Sequence, residues 1–454
     1  MADYAADFKF VLAKNAAYSH EERRKLPPIR AITTMLPHPS GRGSMICHPD
    51  AHDRLYDMAE GALAKSKYAG RIEVSAAFEE LKRITVERFY RDKREITQSE
   101  ADKAVAAAVK ASAKVCKTLT HYIPCHIGDD KGDFAFELGR VHFRRSDVVM
   151  SDMASKFVSY VESVEEKRQD ISQKLASDAR SYYESFGWVA AVTIEDCDEA
   201  VSERRAKRAV QGALDCLHVL LGTEYSNHMR MGGPNFHTDR RSHIVEGAGC
   251  SIEVSSSADW LSNGLRKNWW NIIQGKAEDF LELMGIALEG ALTLPTPLPV
   301  AQRYIDAATW YGQACRDEFL PSRLVKYVTA MERVLTTSSQ NIAETLASRG
   351  AALLYRCLPE YEDFDRLKAR FESVYDMRSR FVHGSRSPHD RIGQTLRDAD
   401  ELSRMVLFQI LRLYKKEGLE LAACSDDRMN EALDEWVELV RRDRQGHEAS
   451  PSVG

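Results

Sequence analysis

From about residue 266 to residue 442, apolar side chains recur every three or four positions, and the alternation typical of a β-strand is absent. This spacing predicts amphipathic helices that each bury one face. The predicted helices span 268–292, 300–319, 321–336, 340–357, 364–383, 395–416 and 427–442. Pro295, Pro297 and Pro299 separate the first helix from the others, because proline interrupts helical hydrogen bonding.

The residues before this region mix helical and strand periodicity. The predicted helices span 73–94, 99–118, 148–185 and 198–222. Ser99 is the expected N-cap of the second of them. The predicted strands are a hairpin in 120–143, turning at the Gly-Asp-Asp-Lys-Gly segment, and single strands at 188–194 and 250–255. The Gly-, His- and Arg-rich stretch 223–249 is predicted to be a loop.

The whole chain therefore predicts an α+β protein. Residues 1–265 are expected to form a mixed α/β region, residues 266–445 an all-helical domain, and residues 446–454 a disordered tail. A length of 454 residues is consistent with two or three domains.

Composition indicates a soluble globular protein, with 44% apolar and 29% charged residues. The nine cysteines include no CxxC pair, which favours free thiols in a reducing compartment. The N-terminus lacks a basic start followed by an apolar run, and no apolar run approaches the ~20 residues of a membrane span. We therefore expect a cytoplasmic protein. A net charge of −5 neither favours nor excludes a nucleic-acid partner.

Three charged residues fall on the core-facing side of predicted helices. Glu332 lies on the apolar stripe of 321–336, Arg349 in that of 340–357, and Arg378 in that of 364–383. An unpaired buried charge is costly, so such groups pair or line a cleft. Glu332 is expected to pair with Arg349 or Arg378. The alternative is that each charge sits at the edge of its stripe and reaches water.

Arg378 is followed, after four residues, by His383 near the end of helix 364–383. Five residues of ideal helix correspond to about 140° of rotation, so the two lie on different faces. They can converge if Gly384 loosens the helix end, or if a second copy faces the first across a two-fold axis. Together they suit RNA cleavage, because histidine exchanges protons near neutral pH and arginine binds phosphoryl oxygens. A solvated histidine at a helix end is the simpler alternative.

At these residues the sequence resembles a known family. The segments AMERVLTT, NIAETLASRGAALL and YDMRSRFVHG resemble the HEPN domain (higher eukaryotes and prokaryotes nucleotide-binding), in its Apea-like branch. The resemblance covers roughly 300–415, about a quarter of the chain. It implies a dimeric helical bundle whose Arg-x4-His pair, Arg378 and His383, forms a metal-independent ribonuclease site at the dimer interface.

The resemblance also implies wider expectations. RNA is the expected substrate, no cofactor is expected, and the role is anti-phage defence by abortive infection, with residues 1–265 sensing a trigger or restraining the nuclease. Glu332, Arg349 and Ser379 are supporting candidates, although nuclease members often carry Asn where Ser379 stands. Some HEPN domains have no nuclease activity, so a silent module that binds RNA or a partner protein is the alternative.

The stretch 227–243 offers a second candidate surface for RNA. Arg230, Arg240 and Arg241 could hold phosphates, and Phe236 could stack on a base. The alternative is a flexible surface loop.

A third hypothesis is a helical structural adaptor with a zinc-stabilised N-terminal region. Cys47, His48 and His52 could supply ligands, completed by Cys125, His126 or His142, but the spacing fits no standard zinc motif. Neither a GxxxxGK[ST] loop nor an HExxH motif occurs, so nucleotide hydrolysis and zincin-type chemistry have no support in the sequence.

Overall fold

Helices dominate the part of the chain that the computed structural model describes, and short strands form three small sheets. The α+β class predicted from the sequence is thereby confirmed. The described residues are 2–18, 35–127, 135–232, 240–246, 252–258, 273, 278–337, 340–357, 363–383, 389–416 and 426–448.

The chain divides into two compact units, each built from separated segments. Unit 1 comprises Met1–Thr120, Thr193–Ala206 and Leu294–Thr296, and unit 2 comprises His121–Val192, Lys207–Thr293 and Pro297–Gly454. This division differs from the expected boundary at residues 265 and 266, which falls outside the described residues. The C-terminal helices instead share unit 2 with most of the strands.

Unit 1 is mainly a group of four helices around one apolar core. They are α1 (Tyr4–Ala17), α2 (Pro49–Ala64), α3 (Val74–Thr85) and α4 (Gln98–Ser112), joined by a hairpin of β1 (Met35–Pro37) and β2 (Ser44–Ile46). The sequence pattern had not predicted α1 and α2. Thr97, rather than the expected Ser99, caps α4, because its hydroxyl accepts the Glu100 N–H at 3.3 Å.

A five-stranded sheet follows in the order β4-β5-β6-β3-β7. Its strands are β3 (Lys117–His126), β4 (Ala135–Leu138), β5 (Val141–Arg145), β6 (Trp188–Cys197) and β7 (Arg230–Met231). The predicted hairpin in 120–143 is wrong in its pairing. The actual hairpin is β4–β5, which turns at Gly139 with φ +55°, and β3 lies between β6 and β7. Strand alternation marks a strand but does not identify its neighbour.

Two further predictions in this region are corrected. The long helix expected at 148–185 is a pair, α5 (Ser146–Glu162) and α6 (Gln169–Glu184), interrupted by a 3-10 turn at Glu166–Arg168. The next helix, α7 (Glu199–Leu221), ends at Gly222 with φ +82°, as predicted. The expected loop 223–249 contains α8 (Thr223–Ser226), β7 and β8 (Arg240–Glu246), and β8 pairs antiparallel with β9 (Ile252–Ala258).

Seven helices occupy the described part of the C-terminal region. They are α9 (Glu278–Leu292), α10 (Pro299–Arg316), α11 (Leu320–Leu335), α12 (Ile342–Cys357), α13 (Phe364–Val382), α14 (His389–Lys416) and α15 (Asp426–Glu448). Helix α11 packs against α10, α13 and α14, and α12 packs against α13 and α15. The helix α15 reaches Glu448, so the first three residues of the expected disordered tail are helical. Residues 449–454 lie outside the description.

The predicted apolar stripes form the core of this helical bundle. Leu324, Val328 and Met331 of α11 are fully buried, and Phe371 and Val374 of α13 meet the same core. In the described chain, none of the helices is both long and apolar enough to cross a membrane.

Candidate active site at the end of helix α13

Arg378 on α13 faces Glu332 on α11. Its Nη2 atom lies 3.6 Å from Glu332 Oε1, and the two side chains are 22% and 16% exposed. Of the two partners expected for Glu332, the structure therefore selects Arg378. Burial raises the pKa of the Glu332 carboxyl above its ordinary value, and the Arg378 cation only partly opposes this effect. The carboxylate is thus held in a poorly hydrated position beside the guanidinium.

The Arg378 guanidinium is not saturated with hydrogen bonds. A separation of 3.6 Å is too long for a hydrogen bond, and the buried Arg378 Nε and Glu332 Oε1 atoms have no hydrogen-bond partner among the described residues. The guanidinium carbon lies 5.6 Å from the centre of the Tyr375 ring. Arg378 is therefore held beside Glu332 by charge attraction and not by a hydrogen bond.

His383 is the C-cap of α13 and is exposed to solvent. Its N–H donates to the Ser379 carbonyl at 3.0 Å, so the backbone stays helical up to this residue. Because α13 runs without a break from Arg378 to Val382, the two side chains leave the helix about 140° apart, with an axial rise of about 7.5 Å. One chain alone does not bring them to one face of the helix. Gly384, expected to loosen this end, lies outside the described residues.

Arg349 lies apart from this ion pair and has a structural explanation. Its Nε donates to Asp434 at 2.9 Å, and its Nη1 donates to Asn430 and to the Leu335 carbonyl, both at 2.8 Å. Leu335 ends α11, so the arginine satisfies a carbonyl that the helix leaves without a partner. Arg349 thereby joins α12 to α11 and α15.

The second candidate surface, in 227–243, is described only in part. Arg230 lies in β7 and its Nε donates to the His228 carbonyl at 3.4 Å. Arg240 and Arg241 pair through their backbones with Ala258 and Ser257 in the β8–β9 ladder. Phe236 lies outside the described residues, so the expected stacking platform is not tested.

The structure does not assemble the zinc ligands that the sequence offered. Among the described residues, no three His, Cys, Asp or Glu side chains are grouped as they would be around a metal ion. The His48 Nδ1 atom accepts the Asp50 N–H at 3.1 Å and so caps α2, and the His52 ring packs on Phe78. Burial raises the pKa of the Cys47 thiol to about 11, which disfavours the thiolate that zinc requires.

A buried polar cluster, missed by the sequence analysis, joins α7 to α10. Arg316 Nη1 donates to Asp215 Oδ1 at 3.0 Å and to His218 Nε2 at 2.6 Å. The imidazole Nδ1 lies 2.8 Å from the Ser226 hydroxyl, which donates to the Gly222 carbonyl. Asp215 and His218 are fully buried and therefore out of reach of a substrate. The sequence does carry a signal for this cluster, because Asp215 and His218 lie three residues apart in the otherwise apolar segment ALDCLHVLL.

Compared with known proteins, the chain matches no family model, no curated protein and no solved structure. The resemblance to HEPN domains therefore rests on the three sequence segments that carry it.

Proposed function

We propose that this chain is a metal-independent endoribonuclease of the HEPN type, in which Arg378 and His383 from two copies form each active site. The observation that carries the proposal is the state of these two residues. The imidazole stands in solvent at the end of α13, and the guanidinium is 22% exposed with its nearest carboxylate at 3.6 Å, beyond hydrogen-bond distance. A cellular role in defence against phage by abortive infection is part of the same proposal and comes from the HEPN resemblance.

The chemistry follows from the two side chains. The RNA 2′-oxygen attacks the adjacent phosphorus, the bond to the 5′-oxygen breaks, and the products are a 2′,3′-cyclic phosphate and a 5′-hydroxyl. Imidazole accepts the 2′-hydroxyl proton or donates one to the departing oxygen. The guanidinium stabilises the charge on the phosphoryl oxygens. Glu332, at 3.6 Å, positions Arg378 but holds it loosely enough for a phosphate to displace the carboxylate.

The first test measures cleavage of end-labelled single-stranded RNA in EDTA by the full chain. We expect His383→Ala and Arg378→Ala each to lower the rate by about 100-fold or more. Arg380→Ala is a matched control on the same helix, since Arg380 is exposed and pairs with Asp376. RNA with a 2′-deoxy sugar at the cleaved position should not be cleaved by the wild type or by any variant. Unchanged cleavage by His383→Ala would refute the proposal.

The second test asks whether each active site combines residues of two copies. A second copy across a two-fold axis can bring together two side chains that lie on different faces of one helix. If each site takes Arg378 from one chain and His383 from the other, mixing the two inactive variants restores one intact site in every mixed dimer. Random pairing then gives about a quarter of wild-type activity. No recovery after mixing, with subunit exchange shown separately, would contradict a shared site.

A second candidate function is a binding module without nuclease activity. The Glu332–Arg378 contact favours it, because the carboxylate partly offsets the positive charge that would stabilise the transition state of cleavage. This candidate predicts that the chain binds labelled RNA but leaves it intact. It also predicts that Arg378→Ala weakens binding while His383→Ala does not.

A further inference from the structure

Helices α5 and α6 form an antiparallel hairpin in which few residues are buried. In α5 only Ser146, Val149 and Met150 are buried, and in α6 only Ser172. Met153, Phe157 and Tyr183 are partly buried against Val149 and Met150, and most of the other large apolar side chains of the hairpin are exposed. The hairpin carries six of the fourteen most exposed large apolar residues in the described chain, namely Val148, Val158, Tyr160, Ile171, Leu175 and Tyr182. So concentrated an apolar exposure marks an interaction surface.

A groove runs between the two helices on one side of the hairpin. It has a volume of about 420 Å³. From α5 it is lined by Met153, Phe157 and Tyr160, and from α6 by Leu175, Ala176 and Ala179. Alanine at two positions leaves room for another helix to approach closely. The groove is thus shaped for a helical partner.

The α5 side of this groove carries opposite charges one turn apart. Helical spacing aligns Asp152, Lys156 and Tyr160 along one line, because residues four apart lie on the same face. Lys156 lines the groove and forms no ion pair with any described residue. Asp152 is 56% exposed although it contacts Arg144. The order along the line is therefore acid, base, aromatic.

The α6 side presents a mainly apolar line. Ile171, Leu175, Asp178 and Tyr182 follow one another at spacings of four, three and four residues, which places them on one face. Three of the four are large and exposed, with Ile171 63% and Leu175 55% exposed. Leu175 also lines the groove, and Ile171, Asp178 and Tyr182 lie on the same side of α6.

We propose that a second copy of this chain docks on this groove through its own α5–α6 hairpin, antiparallel to the first. A two-fold axis perpendicular to the helices lays α5 on α5 and α6 on α6 in opposite directions. Lys156 then faces Asp152 of the partner subunit, and the same contact repeats on the other side of the axis. The same operation brings Ile171 close to the partner's Tyr182.

The charges of the hairpin disfavour a nucleic acid or a parallel second copy as the occupant of the groove. Residues 146–184 hold eight acidic and five basic side chains, so the hairpin repels a nucleic acid. A parallel pairing, with the two-fold axis along the helices, would set Asp152 close to Asp178 of the partner subunit. Only the antiparallel pairing turns the charge order of α5 into two attractive contacts.

The size of the face is sufficient for a dimer. Seventeen residues of helix extend about 25 Å, and two helices side by side are about 20 Å wide, which gives roughly 500 Å² in projection for each copy. The accessible surface buried by two such faces exceeds the roughly 1,000 Å² expected of a specific interface. The interface is separate from the end of α13 and does not depend on the proposed nuclease.

The test is sedimentation of the full chain at micromolar concentration, with folding checked by circular dichroism. Leu175→Glu should at least halve the mass of the assembly, whether or not the end of α13 also associates. Ser177→Glu is the matched control, because Ser177 is exposed, lies about 200° around the same helix from Leu175 and should leave the mass unchanged. A monomeric wild type, or an unchanged mass for Leu175→Glu, overturns the proposal.

A charge exchange then tests the antiparallel order. Lys156→Asp alone should weaken association by about tenfold or more, because four acidic groups then meet around the axis. The double variant Asp152→Lys, Lys156→Asp restores opposite charges and should return the dissociation constant to within about threefold of wild type. If the double variant does not recover its affinity, the antiparallel arrangement is contradicted. The charge exchange would not restore association in a parallel dimer or with a different partner protein.

Discussion

Arg349 and Arg378 occupy similar places in their sequence stripes but differ in how their donors are used. Arg349 is 8% exposed and meets a carboxylate, an amide and a helix-terminal carbonyl. Arg378 has one carboxylate at 3.6 Å and an Nε atom with no hydrogen-bond partner among the described residues. A buried guanidinium with all its donors engaged stabilises the fold, whereas one with open donors can bind an anion. This difference separates the structural arginine from the candidate catalytic one.

At the same scale, Asp215 shows the cost of burying a charge. Burial raises the pKa of this carboxyl from 3.8 to about 6, while Arg316 lowers it and so limits the shift. The folded chain therefore holds the Asp215 proton more tightly than the unfolded chain does. The contribution of Asp215 to stability is greatest below pH 3.8 and falls as the pH rises from about 4 to about 6.

Asp215→Asn should remove this pH dependence. The free energy of unfolding of the wild type, minus that of the variant, should decrease by on the order of 2–3 kcal/mol between pH 4 and pH 6 and then level off. Urea denaturation of both proteins across this range measures the difference. A difference that stays constant, or that increases with pH, would mean that Arg316 outweighs the effect of burial.

At the scale of elements, helical periodicity located the C-terminal helices well. The stripes of α11, α12 and α13 predicted their bounds to within about two residues, because apolar spacing reports directly which face is buried. Interruptions were harder to predict. The α5–α6 turn was missed because its polar residues also suit an exposed helix, and only the packing of the two helices on each other separates them.

The crossing of α12 and α13 depends on a glycine. A Cβ atom on Gly350 would stand 2.6 Å from the Phe371 ring, which is fully buried. At Gly393 in α14 the nearest atom is 4.0 Å away, at the end of the Arg397 side chain. The two helical glycines therefore differ in the space around them.

Alanine at each position separates helix propensity from packing. Gly393→Ala should stabilise the protein by up to about 1 kcal/mol, because alanine favours the helix. Gly350→Ala gains the same helix stabilisation, but it forces the Phe371 ring to move. This movement costs about 1–3 kcal/mol and should leave the variant less stable than Gly393→Ala. Thermal and urea unfolding of the two variants measure the difference in their stability. Equal stabilisation at both sites would show that Phe371 moves freely.

At the scale of the whole molecule, unit 1 is completed by a segment from the middle of the chain. Asp198 is 6% exposed, and its carboxylate accepts the Glu73 N–H at 2.5 Å and the Val201 N–H at 2.8 Å. Its own N–H donates to the Arg71 carbonyl at 2.9 Å. One side chain thus caps α7 and holds the backbone just before α3, which is 125 residues away in sequence.

Asp198→Ala should therefore destabilise the full chain more than the loss of an ordinary helix cap. Two N–H donors lose their acceptor, and we expect a decrease of about 2–4 kcal/mol in the free energy of unfolding. Asp198→Asn keeps one acceptor oxygen and should cost about half as much. Guanidinium unfolding of the three proteins gives the comparison. Similar losses for both variants would indicate that charge, and not the count of acceptors, matters at this position.

The sequence by itself determined the α+β class, the helical second half and the faces that its helices bury, because periodicity and local propensity act over a few residues. It also indicated that Glu332 would need a cationic partner. Only the tertiary structure decided which arginine that partner is, where β3 pairs, and that Asp215, His218 and Arg316 share one buried cluster. The Asp215–Arg316 contact joins residues 101 positions apart, and no local pattern encodes which distant segments pack together.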